Sequence, residues 1–246
     1  MPPEVEEGPA PRGALSGRVA VVAGGASGIG RNAARAIARQ GARVVIADFD
    51  AERTERTVEE ILALGSADAA LALPTDVRSD SSVRSMAADS IKAMGRVDIL
   101  INMAGVLLEG PLDRIKASDW KWMLETNLLG PVRTTMALLP HMKERGSGHI
   151  VNTISADGGR MTIAYDTGEA ALSAFTRGLA AELNGSGVNV TLFTTAARIG
   201  RNTRSRGMGR LLHPREDLEE KTTPTDQAID SLIDLLHHPR LEVESR

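Results

Sequence analysis

The sequence predicts an α/β domain built on a doubly wound parallel sheet, and three observations predict it. Short β-branched runs alternate with longer amphipathic ones from Arg18 onward. The first run leads directly into a glycine-rich turn that opens a helix. The second run ends on an acid, Asp48, 18 residues beyond Gly30. Alternation at this spacing implies parallel strands covered by helices on both faces, and right-handed crossovers then favour the doubly wound order.

The elements follow in order. Val19–Ala23 is a compact apolar strand, and a helix runs from about Gly30 to Gln40 until Gly41 breaks it. Arg43–Ala47 is the second strand, Ala51–Leu64 a helix, Ala70–Pro74 the third strand and Ser79–Met94 a helix. Val97–Asn102 is the fourth strand. One long helix is expected from about Ser118 to Arg145, bent where Pro131 removes a backbone donor. His149–Ile154, Ala164–Leu183 and Val188–Phe193 read as strand, helix and strand. Pro224–Leu236 is a last helix, with a short strand at Leu241–Glu244. Residues 1–16, with four prolines and three glutamates, read as a mobile tail, which leaves residues 17–246 as one domain.

Composition narrows the function. The 246 residues are 42% apolar and 25% charged, with a net charge of −3, so nothing suggests the basic surface of a nucleic-acid binder. Cysteine is absent, which excludes disulfides, thiolate ligands and cysteine nucleophiles. No apolar stretch approaches the roughly 18 residues of a membrane span. The acidic, proline-rich start is the reverse of a secretory signal, and a cytoplasmic protein is expected.

The turn Gly24-Gly25-Ala26-Ser27-Gly28-Ile29-Gly30 sits between strand and helix, the context in which glycines let a backbone approach a pyrophosphate. The helix amino terminus then offers N–H donors and partial positive charge to the phosphates. At the second strand's end, Asp48 can accept hydrogen bonds from both hydroxyls of the adenine ribose and would repel a 2′-phosphate. Phe49 and Ser27, its neighbours in this reading, supply no cation, so NAD is favoured over NADP. Asp76 and Val77, past the third strand, are candidate adenine contacts.

These residues resemble the short-chain dehydrogenase/reductase family from about Gly17 to Leu236. The family's glycine turn corresponds to Ala23, Gly24, Gly28 and Gly30. Its Asn-Asn-Ala-Gly segment, which steadies the central strand, corresponds to Asn102-Met103-Ala104-Gly105, with Asn102, Ala104 and Gly105 among the implied cofactor contacts. Asn127, Ser155 and Tyr165 match its asparagine, serine and tyrosine. The resemblance implies a three-layer Rossmann fold and hydride exchange between a nicotinamide and an alcohol or carbonyl substrate. Tyr165 would then be the general acid/base, Ser155 would bind the substrate oxygen, and Asn127 would order a relay water. A homodimer or homotetramer through the two long helices is implied as well.

The chain departs from that pattern at the reacting end. Glu169 stands where the family has lysine, four residues after Tyr165 and so on the same helix face. A carboxylate there raises the phenol pKa where a lysine lowers it, although it can still accept hydrogen bonds from the nicotinamide ribose. Ser155 and Tyr165 are ten residues apart, about three fewer than in the family. Thr195-Ala196 replaces a Pro-Gly, and the family's closing strand motif is missing. Arg198 or Arg160 could supply the absent cation. Residues 198–220 correspond to the family's substrate flap. The stretch 198–215 carries six arginines and no acid, followed by four acids in Glu216–Glu220, which leaves both an anionic partner and internal neutralisation open. Trp120 and Trp122 fall on the long helix, where one can pack inward, and His237-His238 lacks further metal ligands. Three functions remain: an NAD-dependent oxidoreductase; a dinucleotide binder of little turnover, acting as a sensor or as the inactive partner in a hetero-oligomer; and a ligand-free scaffold.

Overall fold

β1 (Val19–Ala23) is buried along its whole length, the expected state of an apolar strand covered on both faces. The computed structural model describes residues 13–64, 69–155, 162–195, 202–205 and 222–244. Around β1 lie β2 (Arg43–Asp48), β3 (Ala70–Pro74), β4 (Ile99–Asn102), β6 (Gly148–Ser155), β7 (Val188–Thr195) and β9 (Glu242–Glu244). They form a seven-stranded sheet in the order β3-β2-β1-β4-β6-β7-β9, with every pair parallel. The predicted doubly wound fold is found. In register, Val21 stands between Val45 and Leu100, and Asn102 opposite Asn152.

Because side chains alternate across a strand, the apolar residues divide into two cores. Ala20, Val22, Val44 and Ile46 pack with Ala33 and Ile37 of α1 (Gly28–Arg39) and Leu232 and Leu235 of α7 (Thr222–His237). Val19, Val21, Val45 and Ile150 pack on the other face, against α3 (Asp80–Met94), α5 (Leu129–Glu144) and α6 (Ile163–Glu182). α2 (Ala51–Leu62) completes the β2–β3 crossover, its amino terminus capped by the Asp50 carboxylate accepting from Arg53 N. Among the described residues no helix is long and apolar enough to cross a membrane.

A buried chain of neutral hydrogen bonds crosses the sheet below its carboxyl end. The Asn102 amide donates to Asn152 Oδ1 at 2.8 Å, Asn152 donates to Thr176 Oγ1 at 2.9 Å, and Thr134 donates to Asn102 Oδ1 at 2.7 Å. β4, β6, α6 and α5 are thereby tied together.

Two sequence expectations are corrected, one is found, and one element was not foreseen. The tail does not reach Ser16: Leu15 is 1% exposed within the first core and its N–H donates to Gln40 O at 2.9 Å, so an apolar side chain anchors the chain just before β1. The expected long helix is two helices, α4 (Ala117–Asn127) and α5, broken at Leu128 rather than bent at Pro131. Restarting there puts Pro131 in the first turn of α5, where a missing N–H leaves no intrahelical bond unmade. β9, which pairs with β7 at the sheet edge, is the short strand expected at Leu241–Glu244. A second sheet, of β5 (Val106–Glu109) and β8 (Asn202–Ser205), was not foreseen. It joins the segment after β4 to the segment after β7 by parallel pairing. Residues 1–12 of the expected tail, Arg160, Ala196, Arg198, Glu216–Glu220 and the arginine-rich stretch other than 202–205 lie outside the described residues.

Candidate active site and cofactor cleft

A cleft of about 650 Å³ opens at the carboxyl ends of β1, β2 and β4. Gly24, Ser27, Gly28, Ile29 and Gly30 line one wall, Asp48 and Phe49 the far end, and Asp76, Val77, Ala104 and Gly105 the opposite side. Two glycines make the turn. Gly28 has a φ of +51° with open space where a Cβ would stand. At Gly30 a Cβ would lie 2.1 Å from Gly24 O, so only glycine lets α1 start this close to the end of β1. Ser27 occupies the N-cap of α1 without a side-chain cap bond, which leaves the cleft to the first-turn amides.

Asp48 is buried, and its carboxylate accepts from Ala26 N at 3.2 Å and Asp50 N at 3.3 Å. Burial raises its pKa above the ordinary aspartate value, against the lowering effect of those N–H donors. The same carboxylate therefore steadies the turn and faces the cleft. Two arginines line the cleft and both are paired: Arg31 with Glu60, and Arg78 with Asp76 through bonds of 2.9 and 2.8 Å. The Arg78 pair holds the Asp76 carboxyl below its usual range. The Asp76 carboxylate is thus engaged within the protein, and its neighbour Val77 is left to line the wall.

The pattern reading missed Phe49, Trp122 and Thr126 as lining residues. Phe49 is 65% exposed beside Asp48, and an exposed aromatic after a strand-end acid was the available signal. Trp122 shows no such signal, because it lines the cleft only through the packing of α4 on β5. Both tryptophans of α4 pack against the small core of Val106, Leu108, Met123 and Ala164.

Ser155, Tyr165 and Glu169 come together beside the cleft rather than on it; none of the three lines it. Ser155 ends β6, while Tyr165 and Glu169 lie one turn apart on α6. The Tyr165 hydroxyl donates to Ser155 Oγ at 3.1 Å, and Ser155 N donates to Glu169 Oε2 at 2.7 Å. Tyr165 is 1% exposed, and burial together with the Glu169 charge pushes its phenol far above its ordinary value. Burial lifts the Glu169 carboxyl from 4.5 to about 7, despite the donors that favour its anion. One oxygen of the carboxylate expected at the nicotinamide ribose is therefore engaged by Ser155 N–H.

The Glu169 shift has a sign that can be measured. The folded chain holds this proton more tightly than the unfolded chain, so the contribution to stability is full below about pH 4.5 and is lost as pH rises through 7. Glu169→Gln mimics the protonated acid. Chemical denaturation of parent and variant between pH 4.5 and 7 should show the parent losing stability relative to the variant, by up to about 1.4 kcal/mol per pH unit. Parallel curves would remove the assigned burial effect.

Asn127 and Asn102 are both turned to structure. Asn127, the last residue of α4, clamps the β5 backbone, accepting from Val106 N and donating to Val106 O at 2.9 Å each. Its side-chain amide holds the strand against α4. Asn102 does not line the cleft; its amide is committed to Asn152 and its carbonyl to Thr134.

A glycine turn at the switch of a parallel sheet, with a carboxylate at the second strand's end, defines a dinucleotide-binding Rossmann fold. The chain belongs to the short chain dehydrogenase family, whose model matches residues 18–200. It is 38% identical over 178 residues to (2S)-[(R)-hydroxy(phenyl)methyl]succinyl-CoA dehydrogenase subunit BbsD of Thauera aromatica, covering 72% of this chain and 71% of that protein. An uncharacterized oxidoreductase of Staphylococcus aureus is 34% identical over 180 residues, covering 72% and 76%. A metagenomic short-chain oxidoreductase solved in complex with NADP superposes with a TM-score of 0.77 at 29% identity, over 94% of this chain and 97% of that one. A Burkholderia phymatum short chain dehydrogenase/reductase solved with NAD superposes with a TM-score of 0.81 at 24% identity, over 94% and 90%, and bears on the fold alone.

Proposed function

We propose that this chain is an NAD-dependent oxidoreductase of an alcohol/carbonyl pair, with its proton transfer attenuated by Glu169. The observation that carries the reading is the cleft itself: a glycine turn against a helix amino terminus, with Asp48 at its far end. The first turn of α1 would hold the pyrophosphate and Asp48 the adenine ribose, with the exposed ring of Phe49 available to the base. Bound nicotinamide would supply or accept the hydride. Tyr165 would exchange the proton with the substrate oxygen, and Ser155 would orient that oxygen. Asn127 supports both at a distance by fixing β5 against α4.

NAD is favoured over NADP because the buried Asp48 carboxylate repels a 2′-phosphate and the two arginines that line the cleft, Arg31 and Arg78, are already paired with Glu60 and Asp76. Calorimetric titration of the full chain should give NAD an affinity at least about tenfold above NADP, a gap of roughly 1.4 kcal/mol. Equal affinities would sink the preference, and turnover on a carbonyl panel, lost in Tyr165→Phe, tests the redox reading.

A second reading is supported by the closed hydrogen bonding of Ser155, Tyr165 and Glu169: a dinucleotide binder of little turnover, serving as the inactive partner in a hetero-oligomer. The name of the Thauera relative, a dehydrogenase subunit, is consistent with it. Self-association into a dimer or tetramer would use α5, where Leu129 and Met136 stand exposed seven residues apart on one face. A cytoplasmic location completes the reading.

A further inference from the structure

We infer that Arg78 is a positioning residue for the base: it clamps the Asp76 carboxylate on the cleft wall as a fixed hydrogen-bond acceptor, so the site selects a purine bearing an exocyclic amino group over one bearing a carbonyl. The inference rests on the NAD reading of the same cleft and says how its base is chosen.

Asp76 and Arg78 both line the cleft. The stretch that carries them is fixed on two sides. Thr75 N donates to Asp48 O at 2.7 Å, which ties it to the strand end that bears the ribose acid. Asp76 N donates to Ser82 Oγ and Ser79 N to Asp76 O, at 3.0 Å each, which ties it to the start of α3. Held there, the carboxylate takes three N–H groups from one residue. Oδ1 accepts from Arg78 N and Arg78 Nε at 2.9 Å each, and Oδ2 accepts from Arg78 Nη2 at 2.8 Å. A planar guanidinium meeting both oxygens, with a backbone N–H on one of them, gives the carboxylate a single orientation.

Engagement orients the group without exhausting it. Two carboxylate oxygens offer about four lone-pair sites, so three donors leave one for a ligand. The hydrogen-bonded Arg78 guanidinium also holds the acid below its usual pKa, and an ionised carboxylate accepts hydrogen bonds but cannot donate them. Adenine brings an amino group to such an acceptor. Hypoxanthine brings a carbonyl oxygen in the same place, and two acceptors facing each other leave both unpaired. The ion pair itself is partly exposed, with side chains at 47% and 38%, so it adds little to stability. Loss of Arg78 should therefore register in which base is bound and hardly at all in how firmly the chain folds.

Calorimetric titration of the full chain with NAD and with nicotinamide hypoxanthine dinucleotide tests this. The parent should bind NAD at least about tenfold tighter, and Arg78→Ala should cut that ratio below about threefold. The melting temperature of Arg78→Ala should stay within about 4 °C of the parent, the most that an exposed pair shifts a chain of this size. Asp76→Asn, whose amide donates as well as accepts, should lose the ratio too. Equal affinities in the parent, or a ratio kept by either variant, overturn the inference and leave the NAD reading standing. A ratio lost together with a larger fall in melting temperature also overturns it, since the pair then holds the loop and not the carboxylate. Binding of neither dinucleotide overturns both.

Discussion

Glu169→Lys is expected to raise turnover on an alcohol or carbonyl panel by about 10- to 100-fold, short of the roughly 10²- to 10⁴-fold that general acid–base catalysis supplies. Two effects hold the Tyr165 phenol high in the parent: burial first, and then the Glu169 charge four residues along the same helix face. Lysine reverses the sign of the second, stabilising a phenolate where the carboxylate opposes it. It leaves the first untouched, which is why the gain falls short of the full range. There is also a structural cost. Ser155 N loses its 2.7 Å acceptor, and an orphaned buried donor costs about 1–3 kcal/mol, so the variant should melt earlier while reacting faster. Steady-state kinetics in parent, Glu169→Lys and Glu169→Gln separate the contributions. Glutamine removes the charge without adding a cation and should recover only part of the gain. Adding Tyr165→Phe to the lysine variant should erase it. A lysine variant no faster than the parent would show that the Tyr165 proton does not limit this chain.

Gly30→Ala is expected to lower stability by about 1–3 kcal/mol, the usual cost of forcing atoms into a packed site. The new Cβ would stand 2.1 Å from Gly24 O, a backbone atom with no rotamer to yield, so α1 must move away from β1. That shift carries the first-turn amides with it, and NAD affinity should fall by more than about tenfold. Gly28→Ala is the informative contrast. Its Cβ would meet nothing within 4 Å, but the φ of +51° costs about 1–2 kcal/mol for any other residue, and the new methyl sits on the cleft wall. Thermal unfolding reads the stability of both, at about 2–4 °C per kcal/mol for a chain of this size, and titration reads the affinity. Equal NAD affinity in parent and Gly30→Ala would show that the turn does not cradle the phosphates.

Periodicity and turn chemistry made the seven-stranded sheet largely legible, because β1 to β4 carry contiguous apolar stretches and β6 and β7 are rich in β-branched residues, all between turn signals. The adenine side of the site was legible for the same reason: Gly24–Gly30 and Asp48 act through local backbone geometry. What escaped depends on tertiary pairing. β5 is four residues long, and its strand character comes from β8, almost a hundred residues away, and from the Asn127 clamp. The break at Leu128 follows from where α5 must restart to accommodate Pro131. Glu169 was recognised as a departure from sequence alone, yet its preference for Ser155 N–H over a ribose depends on how the end of β6 meets α6. Trp122 reached the cleft wall by packing that no local pattern encodes.

The amides and hydroxyls of Asn102, Asn152, Thr176 and Thr134 contain no group that ionises between pH 2 and 12. Neither acid nor salt loosens such a brace. The floor of the molecule is therefore indifferent to which ionisable residues sit above it, and mutation can rewrite the chemistry at position 169 without first undoing the architecture.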